Sequence, residues 1–192
     1  MLPPLILASQ SPRRKALLGT IGVDFNVVCK ETPELFDAQL SPQELCLHNA
    51  QDKADAVFKD HPYATVIGAD TLVFLDGEPL GKPLNLAEAK QMLRRLSGKT
   101  HYVCTAVALV SPLGKKNLTP LTKVQFKQLS DEVILNYLNL VNVLDKAGAY
   151  AFQEHGEMII ENVEGDTNNV IGLPLAELTQ VLQEWNYPVH TI

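Results

Sequence analysis

The sequence predicts an α/β or α+β fold, in which strands alternate with helices. Apolar runs of strand length alternate with amphipathic helical patterns along the 192 residues, and no linker or internal repeat interrupts them. Hydrophobic residues make up 46% of the chain, which is enough for a real core. The order of strands and helices is irregular, so a purely parallel sheet is not expected. We therefore treat residues 1–192 as a single domain.

The first half of the chain is predicted to hold three strands and three helices. In chain order they are a strand at 4–9, a helix at 11–22, a strand at 24–30, a helix at 41–61, a strand at 64–81 that a polar segment interrupts before a turn at Asp76-Gly77, and a helix at 86–98. The helix at 41–61 has the clearest start, because Ser41 and Glu44 form a capping box around Pro42. Asn85 and Glu88 are expected to cap the next helix in the same way.

The second half is predicted to continue the sheet. Its elements are neighbouring strands at 101–111 and 122–130 joined by a turn at 112–117, a helix at 130–144 capped by Ser130, a loop at 145–157, a strand at 158–163, a polar loop at 164–169 and a closing helix at 175–185. Polar residues gather where strands end, and a close-packed core does not explain them.

The chain has the features of a soluble, cytoplasmic protein. It contains no apolar stretch of about 18 residues and no secretory leader pattern. Cys29, Cys46 and Cys104 are odd in number and form no CxxC pair, so neither disulfides nor structural zinc are expected. The net charge of −6 disfavours nucleic-acid binding, and any anionic ligand must therefore meet local positive charge.

Arg13 and Arg14 are the first candidates for such local charge. Ser11 is a predicted N-cap and Pro12 a predicted first helical residue, which places both arginines in the first turn of a helix. One interpretation is that they lie in solvent or bridge to an acidic loop. The alternative is that the helix amides, the serine hydroxyls and the guanidinium groups together cradle phosphate oxygens.

Two carboxylates and two lysines extend that alternative. Glu34 lies in a polar loop, and Asp70 is flanked by apolar residues on both sides. Each is consistent with a cap or an ion pair, but two carboxylates facing a phosphate loop also suggest a magnesium or manganese site. Lys53 fits an ordinary solvated lysine of a helix, whereas Lys82 lies in a restricted turn that would aim its ammonium group at a ligand.

Six motifs occur together in one order and spacing: "LASQSPRRKALL", "GADTLV", "GKP", "LSGKTHYVCTAVAL", "DKAGAYAFQ" and "NNVIGLPL". In this respect the chain resembles the Maf-like nucleotide pyrophosphatases along nearly its whole length. The resemblance implies an elongated mixed sheet with two lobes around a cleft, similar to the inosine triphosphate pyrophosphatases. It also implies metal-dependent hydrolysis of a nucleoside triphosphate between the α- and β-phosphates, as a house-cleaning activity, by a homodimer. The acidic net charge and the lack of a long apolar stretch predict that the protein binds neither nucleic acid nor membrane.

The resemblance also implies roles for individual residues. Asp70, Glu34 and Lys82 are the implied catalytic residues, and the first two would hold a divalent metal, Mg²⁺ or Mn²⁺. The residues implied in substrate binding are Ser9, Arg13, Arg14, Lys53, Thr71 and Gln153. The loop after Glu34 lacks the acidic run that is usual in the family, which leaves Glu31 as an alternative metal ligand.

The substrate is expected to be dTTP, UTP or a modified pyrimidine nucleotide. Thr71, in "GADT", resembles the subgroup with that preference, whereas the subgroup acting on 7-methyl-GTP tends toward "GSDQ". Two alternatives stay open: a non-enzymatic nucleotide-binding regulator of septum formation, and a pyrophosphatase for purine triphosphates such as ITP or XTP. Thr71, Gln153 and the loop near Asn169 are the expected points of base discrimination.

Overall fold

A computed structural model describes residues 2–190 of the chain. Eight strands and six helices are present. In chain order they are β1 (Leu5–Ala8), α1 (Pro12–Thr20), β2 (Asn26–Val27), α2 (Pro42–Phe58), β3 (Thr65–Leu75), β4 (Glu78–Leu80), α3 (Leu86–Leu96), β5 (Thr100–Ser111), β6 (Gly114–Leu118), β7 (Leu121–Phe126), α4 (Asp131–Leu140), β8 (Ile160–Glu164), α5 (Thr167–Ile171) and α6 (Leu175–Glu184). Single turns of 3₁₀ helix lie at Ala147–Ala149 and Gly156–Met158.

All eight strands belong to one mixed sheet, as the resemblance implies. Its order is β2-β1-β3-β5-β7-β8, with β4 paired to β3 and β6 paired to β5. The strand β1 runs parallel to β2 and β3, and the other pairings are antiparallel. The long central pair of β3 and β5 runs from Val66 opposite Val110 to Phe74 opposite Tyr102, and it carries the residues of the site.

The strand β3 is continuous, so the predicted interruption by a polar segment is wrong. Asp70 and Thr71 keep their places in the ladder, opposite Ala106 and Thr105. Both polar side chains have hydrogen-bond partners from α2, α1 or β5, and satisfied polar groups are tolerated in a buried strand.

Three clusters of apolar side chains cover the sheet. In the first, side chains of α3, α4, β5 and β7 pack around Phe126 and Tyr137. The second joins α1 and α6 to β1, β3 and β5. The third packs α2 against β1, β3 and β5. The cleft lies where residues of the first cluster, such as Val73 and Tyr150, meet Ala8 and Leu72 of the third.

The helix α2 lies unusually close to β3 at Gly68. A Cβ atom at this position would lie 2.2 Å from the carbonyl oxygen of Ala50 and 2.7 Å from the backbone nitrogen of Ala54. Only glycine permits such an approach, since no side chain separates the two backbones. The contact brings the polar residues of α2 within reach of Asp70.

Helix caps agree closely with prediction. Ser41 and Glu44 form the full capping box of α2, and Asn85 and Ser130 accept hydrogen bonds from the third residues of α3 and α4. Within residues 2–190, no helix is both long and apolar enough to cross a membrane.

Several element boundaries differ from prediction. The expected turn at 112–117 instead includes β6, because a tight turn ending at Gly114 lets the chain pair back along β5. The polar loop at 164–169 begins α5, which Asp166 caps and Gly172 ends with φ of 127°. The second strand has only two residues, and α4 ends at Leu140, where Val141 becomes extended.

Candidate active site

The cleft encloses about 1110 Å³ and is lined from both halves of the sheet. Its walls come from the start of α1, the middle of β3, the loop at 29–36, the turn at 79–84 and the segment at 145–153. All nine residues that the resemblance implicates line this cleft: Ser9, Arg13, Arg14, Glu34, Lys53, Asp70, Thr71, Lys82 and Gln153. Glu31 also lies on its wall. The sequence therefore selects residues that share one surface.

One end of the cleft is organised around Lys53. Its ammonium group donates to Asp70 Oδ1 at 2.6 Å and to Glu34 Oε1 at 2.8 Å. The side chain of Asp70 is only 7% exposed, and that of Glu34 is 46% exposed. Lys82 Nζ lies 3.9 Å from the same Glu34 oxygen. Two carboxylates thus share one cation, and a second cation stands beside them.

The pKa of Glu34 reflects this charge. Burial alone would raise the pKa of Glu34, but the hydrogen bond and charge of Lys53, with the charges of Lys82 and Arg14, bring it below its usual value. The carboxyl group is therefore ionised at neutral pH.

Asn49 completes this end of the cleft, and the sequence gives little sign of it. Its Nδ2 donates to Asp70 Oδ2 at 3.2 Å and to the Leu35 carbonyl at 3.1 Å, while its Oδ1 accepts from the Leu35 amide at 2.8 Å. The only available signal was an asparagine among the buried residues of α2, beside Ala50 and Cys46.

The consecutive arginines have different environments. Arg14 donates to the Gly172 carbonyl, to Ser9 Oγ and to Thr71 Oγ1, at 2.9, 3.1 and 2.9 Å. Burial lowers the pKa of Arg14, and the charge of Asp70 opposes that effect. Arg14 thus ties α1 to β3 and to the end of α5.

Arg13 points toward the opposite wall. Its Nη1 donates to Asp145 Oδ2 at 2.7 Å, and its Nη2 donates to the Asp145 carbonyl at 3.3 Å. Both arginines therefore have protein partners in the free protein, and the interpretation in which an arginine bridges to an acidic loop describes Arg13 well. A role in holding phosphate stays a prediction for both.

The second end of the cleft is organised around Lys146. This lysine is 5% exposed, and its ammonium contacts Asp145 Oδ1 at 2.9 Å, Glu154 Oε1 at 3.4 Å and the Asn142 carbonyl. Burial would raise the pKa of Asp145, but hydrogen bonds from Lys146 and Arg13 hold it below its usual value. Asp145 and Lys146 open the "DKAGAYAFQ" motif, yet sequence reasoning gave neither of them a role.

Tyr150 forms the wall next to this cluster. His101 Nε2 and the Tyr150 hydroxyl are 2.8 Å apart, and both rings pack edge-on against Phe126. Burial lowers the pKa of His101 to about 4. The imidazole is therefore neutral at neutral pH, and it supports this wall of the cleft.

Thr71 is linked to the interior of the sheet. Its hydroxyl lies 2.9 Å from Thr105 Oγ1, and Thr105 Oγ1 in turn donates to the Asn169 carbonyl at 2.6 Å. The Asn169 amide is fully buried and bonds Val103, Thr105 and Thr122. Asn169 supports β5 from behind, whereas Gln153 presents an exposed side chain at the cleft.

Metal-binding potential at the site rests on a pair of carboxylates. In the part of the chain that the structure describes, no group of three or more His, Cys, Asp or Glu side chains is placed to hold an ion. Asp70 and Glu34 nevertheless face each other across an ammonium group, and a Mg²⁺ ion is commonly held by one or two carboxylates together with substrate phosphates. The donor set fits such an ion.

Comparison with known proteins agrees with this geometry. The family model described as "Maf-like protein" matches residues 4–185. The chain belongs to the Maf family. Within the Maf family, it is 60% identical over 187 residues to a dTTP/UTP pyrophosphatase of Akkermansia muciniphila, an alignment that covers 97% of this chain and 99% of the relative. A dTTP/UTP pyrophosphatase of Bacillus velezensis is 44% identical over 186 residues, covering 97% and 98%.

The fold of this Maf protein also resembles that of a solved structure with low sequence identity. The Staphylococcus aureus Ham1 protein superposes with a TM-score of 0.53 at 17% identity, covering 95% of this chain and 99% of that one. The predicted fold class is confirmed, since the chain forms a mixed sheet flanked by helices with a fold similar to that of the Ham1 protein.

Proposed function

We propose that this protein hydrolyses nucleoside triphosphates between the α- and β-phosphates, releasing a monophosphate and pyrophosphate, with dTTP and UTP as its substrates. The observation that carries the proposal is the pair Asp70 and Glu34 held around Lys53 inside the cleft, in a chain 60% identical to a curated dTTP/UTP pyrophosphatase. A buried carboxylate facing cations is what phosphoryl chemistry requires.

The residues of the Lys53 end act on the reacting phosphates in this proposal. Lys53 and Lys82 exchange their contacts with Glu34 for oxygens of the triphosphate and neutralise the charge that accumulates on the leaving pyrophosphate. Asp70, once Lys53 has moved toward phosphate, accepts the proton of the attacking water. Arg13 exchanges Asp145 for the nucleotide in the same way.

We further propose that the enzyme depends on a divalent metal, Mg²⁺ or Mn²⁺, held by Glu34 and Asp70. When bound, such an ion polarises the α-phosphate and acidifies a coordinated water. Both carboxylate groups border the cleft, and the exposed side of Glu34 leaves room for ligands from solvent and substrate.

Selection of a pyrimidine is assigned to Thr71 and Gln153, because the phosphates are common to all nucleotides. Arg14 and Thr105 fix the Thr71 hydroxyl, so this group is oriented before a nucleotide enters. Ser9 Oγ, held by Arg14 at 3.1 Å, completes the proposed binding surface.

We also propose a cytoplasmic homodimer. Leu135 and Leu140 of α4 are 48% and 57% exposed, and these apolar side chains are available to contact a second copy. The three cysteines are free, which suits a reducing compartment. Light scattering during gel filtration tests the dimer, and a monomeric mass would overturn it.

The function is tested by pyrophosphate release from a panel of triphosphates with Mg²⁺ or Mn²⁺. We expect release from dTTP and UTP to exceed release from ITP and XTP. In H₂¹⁸O, the label is expected in the monophosphate, since water attacks the α-phosphorus. The Asp70→Asn variant is expected to lose about 10²–10⁴-fold in rate, while the control variant Asp55→Asn, a surface residue paired with Lys115, keeps full activity.

Two results would contradict the proposal in different ways. Binding of dTTP with no turnover at any metal concentration would favour a nucleotide-binding regulator. Faster hydrolysis of ITP or XTP would keep the reaction and replace the substrate.

A further inference from the structure

Asn49 is a buried amide on the face of α2 that packs against the sheet. It is 2% exposed, and its neighbours on that face are the apolar residues Leu45, Cys46 and Ala50. Burying an amide costs free energy unless its hydrogen bonds are made inside the protein. The Asn49 side chain makes three such bonds, and all of them lead to the Lys53 end of the cleft.

Two of these bonds hold the loop that carries Glu34. The Leu35 amide donates to Asn49 Oδ1 at 2.8 Å, and Asn49 Nδ2 donates to the Leu35 carbonyl at 3.1 Å. Both backbone groups of the residue next to Glu34 are therefore fixed to α2. The Glu34 side chain itself contacts Lys53 and Lys82, which are mobile cations in the proposed reaction.

The third bond holds Asp70. Asn49 Nδ2 donates to Asp70 Oδ2 at 3.2 Å, while Lys53 occupies Oδ1 at 2.6 Å. One amide side chain thus binds the Asp70 carboxylate on β3 and the loop backbone next to Glu34. No other described side chain is bonded both to Asp70 and to that loop backbone.

We propose that Asn49 is a positioning residue that sets the separation of Glu34 and Asp70 when Lys53 turns toward phosphate. The inference rests on the proposed function. While Lys53 bridges the two carboxylates, its positive charge holds them together. Once Lys53 leaves, the two negative charges repel each other, and Glu34 lies on a segment without helix or strand structure. Asn49 then keeps the loop on α2 and the Asp70 carboxylate in one orientation. Hydrogen bonds that orient metal-binding carboxylates contribute about 10–100-fold to metal affinity or activity.

Two substitutions separate the bonds. Asn49→Leu preserves size and removes all three bonds. Asn49→Asp preserves the acceptor for the Leu35 amide but removes both donated bonds. The matched control is His48→Leu, the adjacent position on the same helix, where an exposed histidine faces Asp52.

Four measurements are made on each full-length variant. Steady-state kinetics with dTTP gives kcat and KM and the Mn²⁺ concentration for half-maximal rate. Electron paramagnetic resonance gives Mn²⁺ affinity with and without a non-hydrolysable triphosphate. Hydrogen exchange gives the protection of the Leu35 amide, and thermal unfolding confirms that each variant is folded.

We expect Asn49→Leu to lower kcat and Mn²⁺ affinity by about 10–100-fold, with a smaller change in KM and faster exchange at Leu35. Asn49→Asp should retain Leu35 protection and still lose kcat. His48→Leu should match the unsubstituted protein. Folded Asn49→Leu with unchanged kcat and unchanged Mn²⁺ affinity would overturn the inference. If the unsubstituted protein hydrolyses no triphosphate, the proposed function fails, and Mn²⁺ affinity and Leu35 exchange still decide the role of Asn49.

Discussion

The two ends of the cleft share one motif, a lysine placed between two carboxylates, but they differ in what surrounds it. Lys53 is 16% exposed, and beside it Lys82 and the open side of Glu34 face the cleft. Lys146 is 5% exposed and is also bonded to the Asn142 carbonyl. In the proposed reaction the first cation exchanges these partners for phosphate, whereas the second is held by carbonyl and carboxylate groups of residues 142–154. We therefore propose that the Lys53 triplet serves the reaction and that the Lys146 triplet serves the structure.

The largest expected effect tests the Lys53 end. Lys53→Met removes the charge that offsets the triphosphate, so kcat/KM for dTTP should fall by about 10²–10³-fold. Pyrophosphate release measures it. Lys59→Met, at the exposed end of α2, is the control and should leave the rate unchanged. A loss of less than threefold would mean that Lys53 belongs with the structural lysines.

The next effect tests the Lys146 end. Lys146→Met leaves Asp145 and Glu154 without their shared cation, and the free energy of unfolding should fall by about 2–3 kcal/mol, below the range for fully buried pairs because both carboxylates are partly exposed. Urea unfolding measures it, with Lys99→Met as a surface control. If Lys146→Met left the free energy of unfolding unchanged but abolished turnover, Lys146 would act in the reaction and the proposed difference between the two ends would be wrong.

The stability of the protein at acid pH also tests the Lys146 end, because His101 contacts Tyr150, which forms the cleft wall beside Lys146. Its pKa is lowered by burial to about 4, against a usual value of 6.5. The unfolded chain therefore binds a proton that the folded protein does not, and stability present above pH 6.5 is lost as the pH falls toward 4. By pH 5 the loss is about 2 kcal/mol.

Urea unfolding from pH 7 to 5 measures this loss. His101→Gln should reduce the difference in the free energy of unfolding between pH 7 and pH 5. His61→Gln, which replaces an exposed histidine, should leave that difference unchanged. Equal slopes in all three proteins would show that His101 is not the group that titrates.

The smallest effect concerns the helix that supplies Lys53. Ser41→Ala removes the N-cap of α2 and should cost about 1 kcal/mol of stability, measured by urea unfolding. Because Gly68 and the apolar contacts of α2 set its position, kcat should not change. Ser41→Asp, which retains a capping oxygen, is the matched control. A fall in kcat with Ser41→Ala alone would show that the cap helps to place Lys53.

Much of the fold is predictable because local signals and burial agree. Ser41, Asn85 and Ser130 cap the helices they were expected to cap. Where the signals were weak, prediction failed: the lysines of β6 are exposed and carry no strand pattern, so only pairing with β5 makes them a strand. Asp70 was expected to break β3, but partners from α2 satisfy it.

The charged residues of the site could be predicted from the sequence, whereas the buried amide that binds Asp70 and the Glu34 loop could not. Arg13, Arg14, Glu34, Lys53, Asp70 and Lys82 were all expected, and all line the cleft. Asn49 was missed because its role depends on a loop folding back onto α2, a contact between residues 14 positions apart. Likewise, Arg14 binding to Gly172, 158 residues away, is not readable from local spacing.

The close approach at Gly68 also shapes how this chain responds to mutation. A methyl group there would lie 2.2 Å from the Ala50 carbonyl oxygen, so the helix would have to lift and take Asn49 and Lys53 away from Asp70 together. In a genetic screen, Gly68 should therefore be as intolerant of substitution as a residue that touches nucleotide. Gly68, which has no side chain, thus sets the distance between α2 and β3. The alignment of Asn49, Lys53 and Asp70 depends on that distance.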